Sequence, residues 1–226
     1  MPALEEVHGR THNAEGARQA ILDAAEALFA EHGFDGARIN RIAAASSYNS
    51  SLLFHYFGDK LSLYAEVIKR ADGEMTELQT HLLAPLLQDE SIFSNAQAFK
   101  NLIAQTVAAN FDYLFTHPRF TRILLWEQAE GWQTFAKIVA RFDTAYSQQF
   151  EALFQKAHRA GLLRSDFPSL IQLGLILQIC LSYLTYLPVY QLALSSSVEL
   201  TSAPALANAR QYLIDFVVHG MLAEMI

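Results

Sequence analysis

The residues with the clearest chemical potential lie between Arg38 and Lys60. Residues 49–56 read NSSLLFHY, so one short segment carries amide, hydroxyl, imidazole and phenol groups. Such groups exchange hydrogen bonds with base edges and phosphate oxygens. The local charge is favourable, because residues 38–60 hold three basic residues and one acid. This segment therefore predicts contact with a nucleic acid.

Two short helices joined by a turn are predicted to position these groups. The first covers about residues 39–46, because Ile39, Ile42 and Ala43 follow the i, i+3, i+4 spacing of a buried helical stripe. Residues 46–49 (SSYN) are predicted to form the turn, since short polar side chains bond to nearby backbone groups and disfavour a helix interior.

The second helix covers about residues 50–56 and follows Asn49, which suits an N-cap. Leu53 and Phe57 repeat at i, i+4 and are predicted to face inward, which leaves residues 55–56 on the exposed side. Two helices joined by a tight turn can present the second helix to the major groove of DNA.

This segment resembles the helix-turn-helix signature of the TetR (tetracycline-repressor-like) family of bacterial transcriptional regulators. The usual form I-A-x-x-A-G-V-S-x-G-T-L-Y-x-Y-F-x-x-K stands here as I-A-A-A-S-S-Y-N-S-S-L-L-F-H-Y-F-G-D-K over residues 42–60. The resemblance extends over about residues 18–64. Two positions depart from the family pattern: Ser47 replaces the turn glycine, and Phe54 replaces a tyrosine whose hydroxyl meets a DNA phosphate.

The resemblance implies an all-α fold of about nine helices. A three-helix helix-turn-helix DNA-binding domain is expected over residues 1–64, and a larger helical effector-binding and dimerisation domain over residues 65–226. Family analogy and the positions of the basic residues place these side chains toward DNA: Arg38, Arg41, Asn49, Ser50, Ser51, His55, Tyr56 and Lys60. The expected partner is palindromic double-stranded DNA, since a homodimer presents two such units.

The resemblance also implies a pocket for a small-molecule effector in the larger domain. Aromatic walls with a few polar groups would suit a small, largely apolar or aromatic compound. The candidate residues are Phe111, Trp126, Glu127, Phe142, Tyr146 and Tyr183. Ordinary core packing is the alternative for most aromatic residues of this region.

Hydrophobic periodicity and helix stops outline the remaining elements. Helices are predicted over residues 15–32, 39–46, 50–56, 60–83, 94–116, 118–129, 132–160, 170–187 and 203–224. Gly33 and Gly161 are predicted to end helices, and Pro85 and Pro188 to follow helix ends.

The apolar segment 170–187 contains several polar residues and lacks flanking basic clusters, which favours a buried helix over a membrane span. The last two helices carry more apolar surface than one subunit covers, so a homodimer through them is expected.

Composition excludes several classes of protein. The net charge of −7 over 226 residues argues against unspecific binding of nucleic acid by the whole surface, although a local face can still bind. The single cysteine, Cys180, permits no intrachain disulfide and fits a reducing cytoplasm, and its apolar surroundings predict an inert thiol. The eight histidines lack metal-ligand spacing, and no catalytic motif occurs. The sequence thus predicts no enzyme, no metal and no cofactor.

Two interpretations of function remain open at this point. The first is a sequence-specific transcriptional regulator, a repressor released by its effector. The second is a helical ligand- or partner-binding protein with a degenerate DNA-binding unit. Ser47, Phe54 and the net charge of −3 over residues 1–64 favour the second.

Overall fold

The computed structural model describes residues 3–88, 90–142, 145–164, 168–194 and 199–223. These residues form ten α-helices and two short 3₁₀ turns, at Glu90–Ser94 and Val139–Arg141. The helices are α1 (Ala3–Gly36), α2 (Ile39–Ala45), α3 (Ser50–Phe57), α4 (Lys60–Gln88), α5 (Ala96–Thr116), α6 (Pro118–Ala129), α7 (Gln133–Ile138), α8 (Ala145–Arg159), α9 (Ser169–Ala193) and α10 (Ala203–Met221). Within these ranges the β-structure is limited to one isolated bridge between Leu163 and Leu222. The all-α prediction is confirmed.

Several predicted helix limits are wrong. The helix α1 begins at Ala3, well before residue 15, because residues 3–14 contain no proline and include several good helix formers. The helix α4 continues through Pro85, and α9 continues through Pro188. A proline removes one backbone hydrogen bond from a helix. In α9 the aromatic packing continues on both sides of Pro188, where the rings of Tyr183 and Tyr190 lie 6.2 Å apart.

The long helix predicted over residues 132–160 is broken. It consists of α7, a 3₁₀ turn, an extended residue Phe142 (φ −91°, ψ 149°) and then α8. The side chain of Arg141 in this turn donates a hydrogen bond to Ser62 Oγ at 3.1 Å. The apolar stripe continues in register on both sides of the break, so periodicity alone could not reveal it.

The described residues divide into two compact units. Unit 1 comprises the described residues of Met1–Gly73 and Pro118–Phe142, and unit 2 those of Glu74–His117 and Asp143–Ile226. Unit 1 is thus built from two separate stretches of chain. The functional boundary predicted between residues 64 and 65 concerns binding roles and stays a prediction.

Unit 1 depends on a close approach between α1 and α6 at Gly33. This residue has φ 68° and ψ −179°, a conformation open almost only to glycine, and it interrupts the regular helix as predicted. A Cβ atom here would lie 3.0 Å from Cδ2 of Trp126. The break leaves the carbonyl of Ala30 to accept hydrogen bonds from Trp126 Nε1 (3.1 Å) and Arg122 Nε (3.0 Å).

The core of unit 2 is formed by α5, which packs against both α9 and α10. Cys180 of α9 is fully buried, with Sγ 3.8 Å from the carbonyl oxygen of Val107. Burial raises the pKa of this thiol to about 12, which supports the predicted lack of reactivity. Arg210 of α10 donates to both carboxylate oxygens of Asp112 in α5, at 2.9 and 2.8 Å.

The expectation that the apolar helix 170–187 is buried is wrong for most of its surface. By length and composition α9 could cross a membrane, since its most apolar window has a mean hydropathy of 1.7. Of that window 28% is buried inside the protein, so most of it is at least partly exposed. Cys180 and Leu181 face α5, whereas Leu175, Val189 and Leu192 are exposed. A long, outward apolar face is also the form of an oligomer interface, so this one helix is weak support for a membrane span.

Candidate nucleic-acid interface

The predicted helix-turn-helix is present with almost the predicted limits. The helix α2 buries Ile42 and Ala43, and α3 buries Leu53 and Phe57, in agreement with the spacing of the apolar residues. Asn49 caps α3, because its side-chain oxygen accepts a hydrogen bond from the backbone N–H of Leu52 at 2.9 Å. The second helix of the pair is therefore fixed at its N-terminus.

The turn between α2 and α3 contains the departure from the family glycine. Ser47 has φ 63°, a left-handed conformation that costs a non-glycine residue roughly 1–2 kcal/mol. The neighbouring Ser46 is buried and in the ordinary helical region (φ −82°), and its hydroxyl donates to the carbonyl oxygen of Ala43 at 3.0 Å. The turn therefore keeps its geometry, and the backbone at Ser47 is strained.

Ser47→Gly is expected to raise the free energy of unfolding by roughly 0.5–1 kcal/mol, because relief of the left-handed strain exceeds the added entropy of the unfolded chain. Urea unfolding followed by tryptophan fluorescence measures this change. The matched control is Ser46→Gly, which removes a hydrogen bond at an ordinary helical position and should destabilise. An unchanged or lower stability of Ser47→Gly would contradict the assigned strain.

The outer side of α3 carries the polar groups selected from the sequence. Asn49, Ser51 and His55 are exposed, and Ser50 and Tyr56 are partly exposed. The rings of His55 and Tyr56 meet edge to face with centroids 5.6 Å apart. These side chains form a polar strip, interrupted by Leu52 and Phe54, with hydrogen-bond donors and acceptors.

Phe54 lies on the same outer side. Its side chain is 48% exposed, so its ring is available to a sugar or another apolar surface outside the domain. Because it has no hydroxyl, it cannot supply the phosphate hydrogen bond that the family pattern places here.

The predicted basic contacts differ in their surroundings. Arg38 and Arg41 are exposed beside α2, and Arg41 Nη1 lies 3.3 Å from His32 Nε2. Lys60 has protein partners: its Nζ lies 4.5 Å from the ring centroid of Phe34 and donates to the carbonyl oxygen of Asp35 at 3.3 Å. Partial burial lowers the pKa of the Lys60 ammonium group. The contacts of Lys60 with Phe34 and Asp35 were not predicted from the sequence, which suggested only a phosphate partner for this charge.

The start of α4 is held by Asp59, which caps this helix. Its Oδ1 accepts a hydrogen bond from the backbone N–H of Ser62 at 2.6 Å, and this bond lowers the pKa of the Asp59 carboxyl group. The same Ser62 accepts the hydrogen bond from Arg141. The beginning of α4 is thereby joined to the 3₁₀ turn at Val139–Arg141.

A buried hydrogen-bond network in unit 1 was not predicted. Glu127 of α6 is 1% exposed, and its Oε1 accepts from the hydroxyl of Tyr64 in α4 at 2.5 Å. Its Oε2 accepts from the backbone N–H of Phe135 in α7 at 3.0 Å. Burial, followed by the bond to Glu127, raises the pKa of the Tyr64 phenol above its usual range. The partners are 63 and 8 residues apart, and no local sequence pattern signals such a pairing.

The residues proposed for an effector pocket fall in both units. In unit 2 the rings of Phe111 and Tyr183 lie 6.1 Å apart. In unit 1 the polar groups of Trp126 and Glu127 already bind α1, α4 and α7. Phe142 follows the 3₁₀ turn of unit 1, and the side chain of Tyr146 lies outside the described residues.

Comparison with known sequences gives the family. Residues 21–67 match the sequence model of bacterial regulatory proteins of the tetR family. Residues 100–217 match the tetracyclin repressor-like C-terminal domain, so the second match alone covers about half of the chain. The chain belongs to the TetR family.

Individual relatives agree with the TetR assignment. The chain is 34% identical over 116 residues to the HTH-type transcriptional repressor SCO4008 of Streptomyces coelicolor, which is 51% of this chain and 52% of that protein. It is 30% identical over 118 residues to the HTH-type transcriptional repressor NicS of Pseudomonas putida, 52% of this chain and 51% of that protein. The chain thus spans about half the length of these relatives. A solved TetR family transcription regulator from Marinobacter aquaeolei VT8 shares the fold, with a TM-score of 0.63 at 17% identity over 95% of this chain and 100% of that chain.

Proposed function

We propose that this TetR family protein is a homodimeric, sequence-specific DNA-binding transcriptional regulator. The strongest support is the intact geometry of α2, the turn and α3, with Leu53 and Phe57 buried and the polar strip of α3 exposed. This arrangement leaves hydrogen-bonding side chains free to reach base edges in a major groove. The two relatives named above are called repressors, which favours repression over activation.

The decisive experiment is selection of a binding site from random double-stranded DNA. The purified protein is expected to enrich a palindrome, with affinity that falls as salt rises. Binding no tighter than to unselected DNA would overturn the proposal and favour the degenerate DNA-binding unit. The capped α3 and its buried apolar residues weigh against that alternative.

Separate variants distinguish phosphate contacts from base contacts. Lys60→Ala is expected to weaken binding of selected and unselected DNA alike and to reduce the salt slope by about one, because it removes a phosphate contact. Tyr56→Ala and Ser51→Ala are expected to change sequence preference at particular positions, by about 1–3 kcal/mol for a good base contact. Fluorescence anisotropy with labelled operators measures both effects.

Lys137→Ala, on the exposed surface of α7 in the same unit, is the control for loss of one positive charge. It should leave affinity nearly unchanged. If Lys60→Ala altered sequence preference instead, its Phe34 and Asp35 contacts would have to position α3, and the phosphate role would be withdrawn.

The proposed regulator dimerises through α9 and α10. Exposed apolar side chains on α9, among them Leu175, Val189 and Leu192, face away from α5. On α10 the rings of Tyr212 and Phe216 stack 6.5 Å apart while both side chains remain more than half exposed. A second copy of these helices would remove this surface from water, and such four-helix interfaces obey two-fold symmetry.

The proposed effector is a small, largely apolar or aromatic compound bound in unit 2. The neighbouring rings of Phe111 and Tyr183, and the pKa of Tyr183 raised by burial, support an apolar environment there. Binding would favour a dimer state that cannot span both half-sites, and by linkage DNA and effector weaken each other equally. Release of labelled operator by aromatic compounds, lost in Tyr183→Ala, would support this assignment; release unchanged in that variant would contradict it.

A further inference from the structure

A charged cavity in unit 1 lies beside the proposed DNA-reading residues of α3 and shares Tyr56 with them. It has a volume of about 330 Å³ and lies among α1, α3, α4 and the 3₁₀ turn that precedes Phe142. The residues that matter are Arg18, Tyr56, Glu66, Lys69, Arg141 and Phe142. Its size falls at the lower end of the range found for small-molecule sites.

The charges around this cavity are unbalanced. Three cations line it against one carboxylate, and that carboxylate, Glu66, is paired with Arg18. Lys69 has no ion pair among the residues that the structure describes. Arg141 donates to the neutral hydroxyl of Ser62, and its charge contributes to the lowered pKa of Asp59. Asp59 therefore offsets part of the Arg141 charge, whereas Lys69 contributes a positive charge without an ion pair among the described residues.

Apolar and aromatic groups complete the cavity wall. Phe142 and Phe57 line it together with Tyr56, and the guanidinium of Arg18 lies 5.5 Å from the ring centroid of Phe57. An apolar wall beside the ammonium of Lys69 and the guanidinium of Arg141 suits a molecule with a flat apolar part and one anionic group. A guanidinium presents planar paired donors that match a carboxylate or phosphate, and an ammonium adds a point charge.

We infer that this cavity binds a small organic anion, with its carboxylate or phosphate held by Arg141 and Lys69 and its ring against Phe142 and Phe57. Such a ligand would bridge α1, α3, α4 and the turn after α7, all within unit 1. The site is distinct from the proposed effector contacts in unit 2. It adds an anionic ligand class to the apolar compound proposed there.

Calorimetric titration of the full chain without DNA tests the inference, so its failure would not bear on the DNA-binding proposal. Phenyl phosphate and benzoate are the probes, with inorganic phosphate and benzyl alcohol as partial ligands. At least one probe is expected to bind saturably and more tightly than either partial ligand. Lys69→Gln and Arg141→Gln should each weaken its binding about tenfold, the loss expected for one charge-assisted contact.

Two further variants make the result specific. Lys137→Gln removes a positive charge from α7, four residues before Arg141, and should leave the affinity unchanged. Arg141→Lys keeps the charge but loses the paired donors, so it should bind more weakly than the parent protein and more tightly than Arg141→Gln. Circular dichroism and thermal unfolding confirm that each variant is folded.

Three results would overturn the site. They are absence of saturable binding by both probes, equal weakening by Lys137→Gln, and full affinity in folded Lys69→Gln and Arg141→Gln. Inorganic phosphate binding as tightly as phenyl phosphate would refute the aromatic part of the ligand class.

Discussion

Glu127→Ala is expected to lower the free energy of unfolding of unit 1 by about 3 kcal/mol. The change leaves two donors inside the unit without acceptors, the hydroxyl of Tyr64 and the backbone N–H of Phe135. Each buried donor that loses its partner costs about 1–3 kcal/mol, and the shortened side chain also leaves a void. Because Glu127 joins α6 to both α4 and α7, the loss falls on the packing of three helices.

The two tryptophans of the chain make this measurement specific. Trp126 and Trp132 both belong to unit 1, so urea unfolding followed by tryptophan fluorescence reports on that unit. Glu130→Ala, one turn further along the chain and partly exposed, is the matched control and should cost less than about 1 kcal/mol. Tyr64→Phe removes one of the two bonds and should fall between them. A loss below 1 kcal/mol for Glu127→Ala would contradict the network.

Phe216→Glu is expected to give a monomer that binds the selected operator roughly 100- to 10,000-fold more weakly. In the proposed two-fold dimer the substitution is present in both subunits, so two unpaired charges would be desolvated at the interface. Loss of the dimer removes the contact with the second half-site. In the dimer that contact raises the operator affinity because the second helix-turn-helix is held at a high effective concentration near its half-site, without new contacts within one subunit. Analytical ultracentrifugation and operator binding should change together.

The control adds the same charge to an exposed position of another helix. Ala152→Glu on α8 is expected to leave both the dimer and the operator affinity unchanged. A Phe216→Glu protein that stays dimeric would show that the exposed face of α10 is not the interface. A monomer that retained full operator affinity would contradict cooperative reading of a palindrome.

The DNA-binding segment could be predicted from the sequence because its signals are local. The apolar spacing of Leu53 and Phe57 and the capping oxygen of Asn49 act within a few residues, and each has its predicted role. Ser47 stands where the family pattern has a glycine, and its φ of 63° is a conformation that glycine adopts without strain.

Other features depend on contacts that sequence patterns do not encode. The break after α7 interrupts a stripe whose apolar spacing continues unchanged, and the bond from Arg141 to Ser62 spans 79 residues. Glu127 was proposed as a polar group of the effector pocket, whereas its oxygens accept hydrogen bonds from Tyr64 and Phe135. The assignment of α9 as a buried helix was wrong for most of its surface, because composition does not tell which sides of an apolar helix are covered within one subunit.

The two-part construction of unit 1 affects the order in which the protein can fold during synthesis. The side of α1 that carries Ala30 and Gly33 is covered by Arg122 and Trp126 of α6, almost a hundred residues later in the chain. Translation proceeds at about 5–20 residues per second, so α1, α2 and α3 emerge from the ribosome several seconds before α6. The helices α1, α2 and α3 therefore keep one flank uncovered until about residue 142 has been made. Their final stability is set late in translation, although they are encoded first.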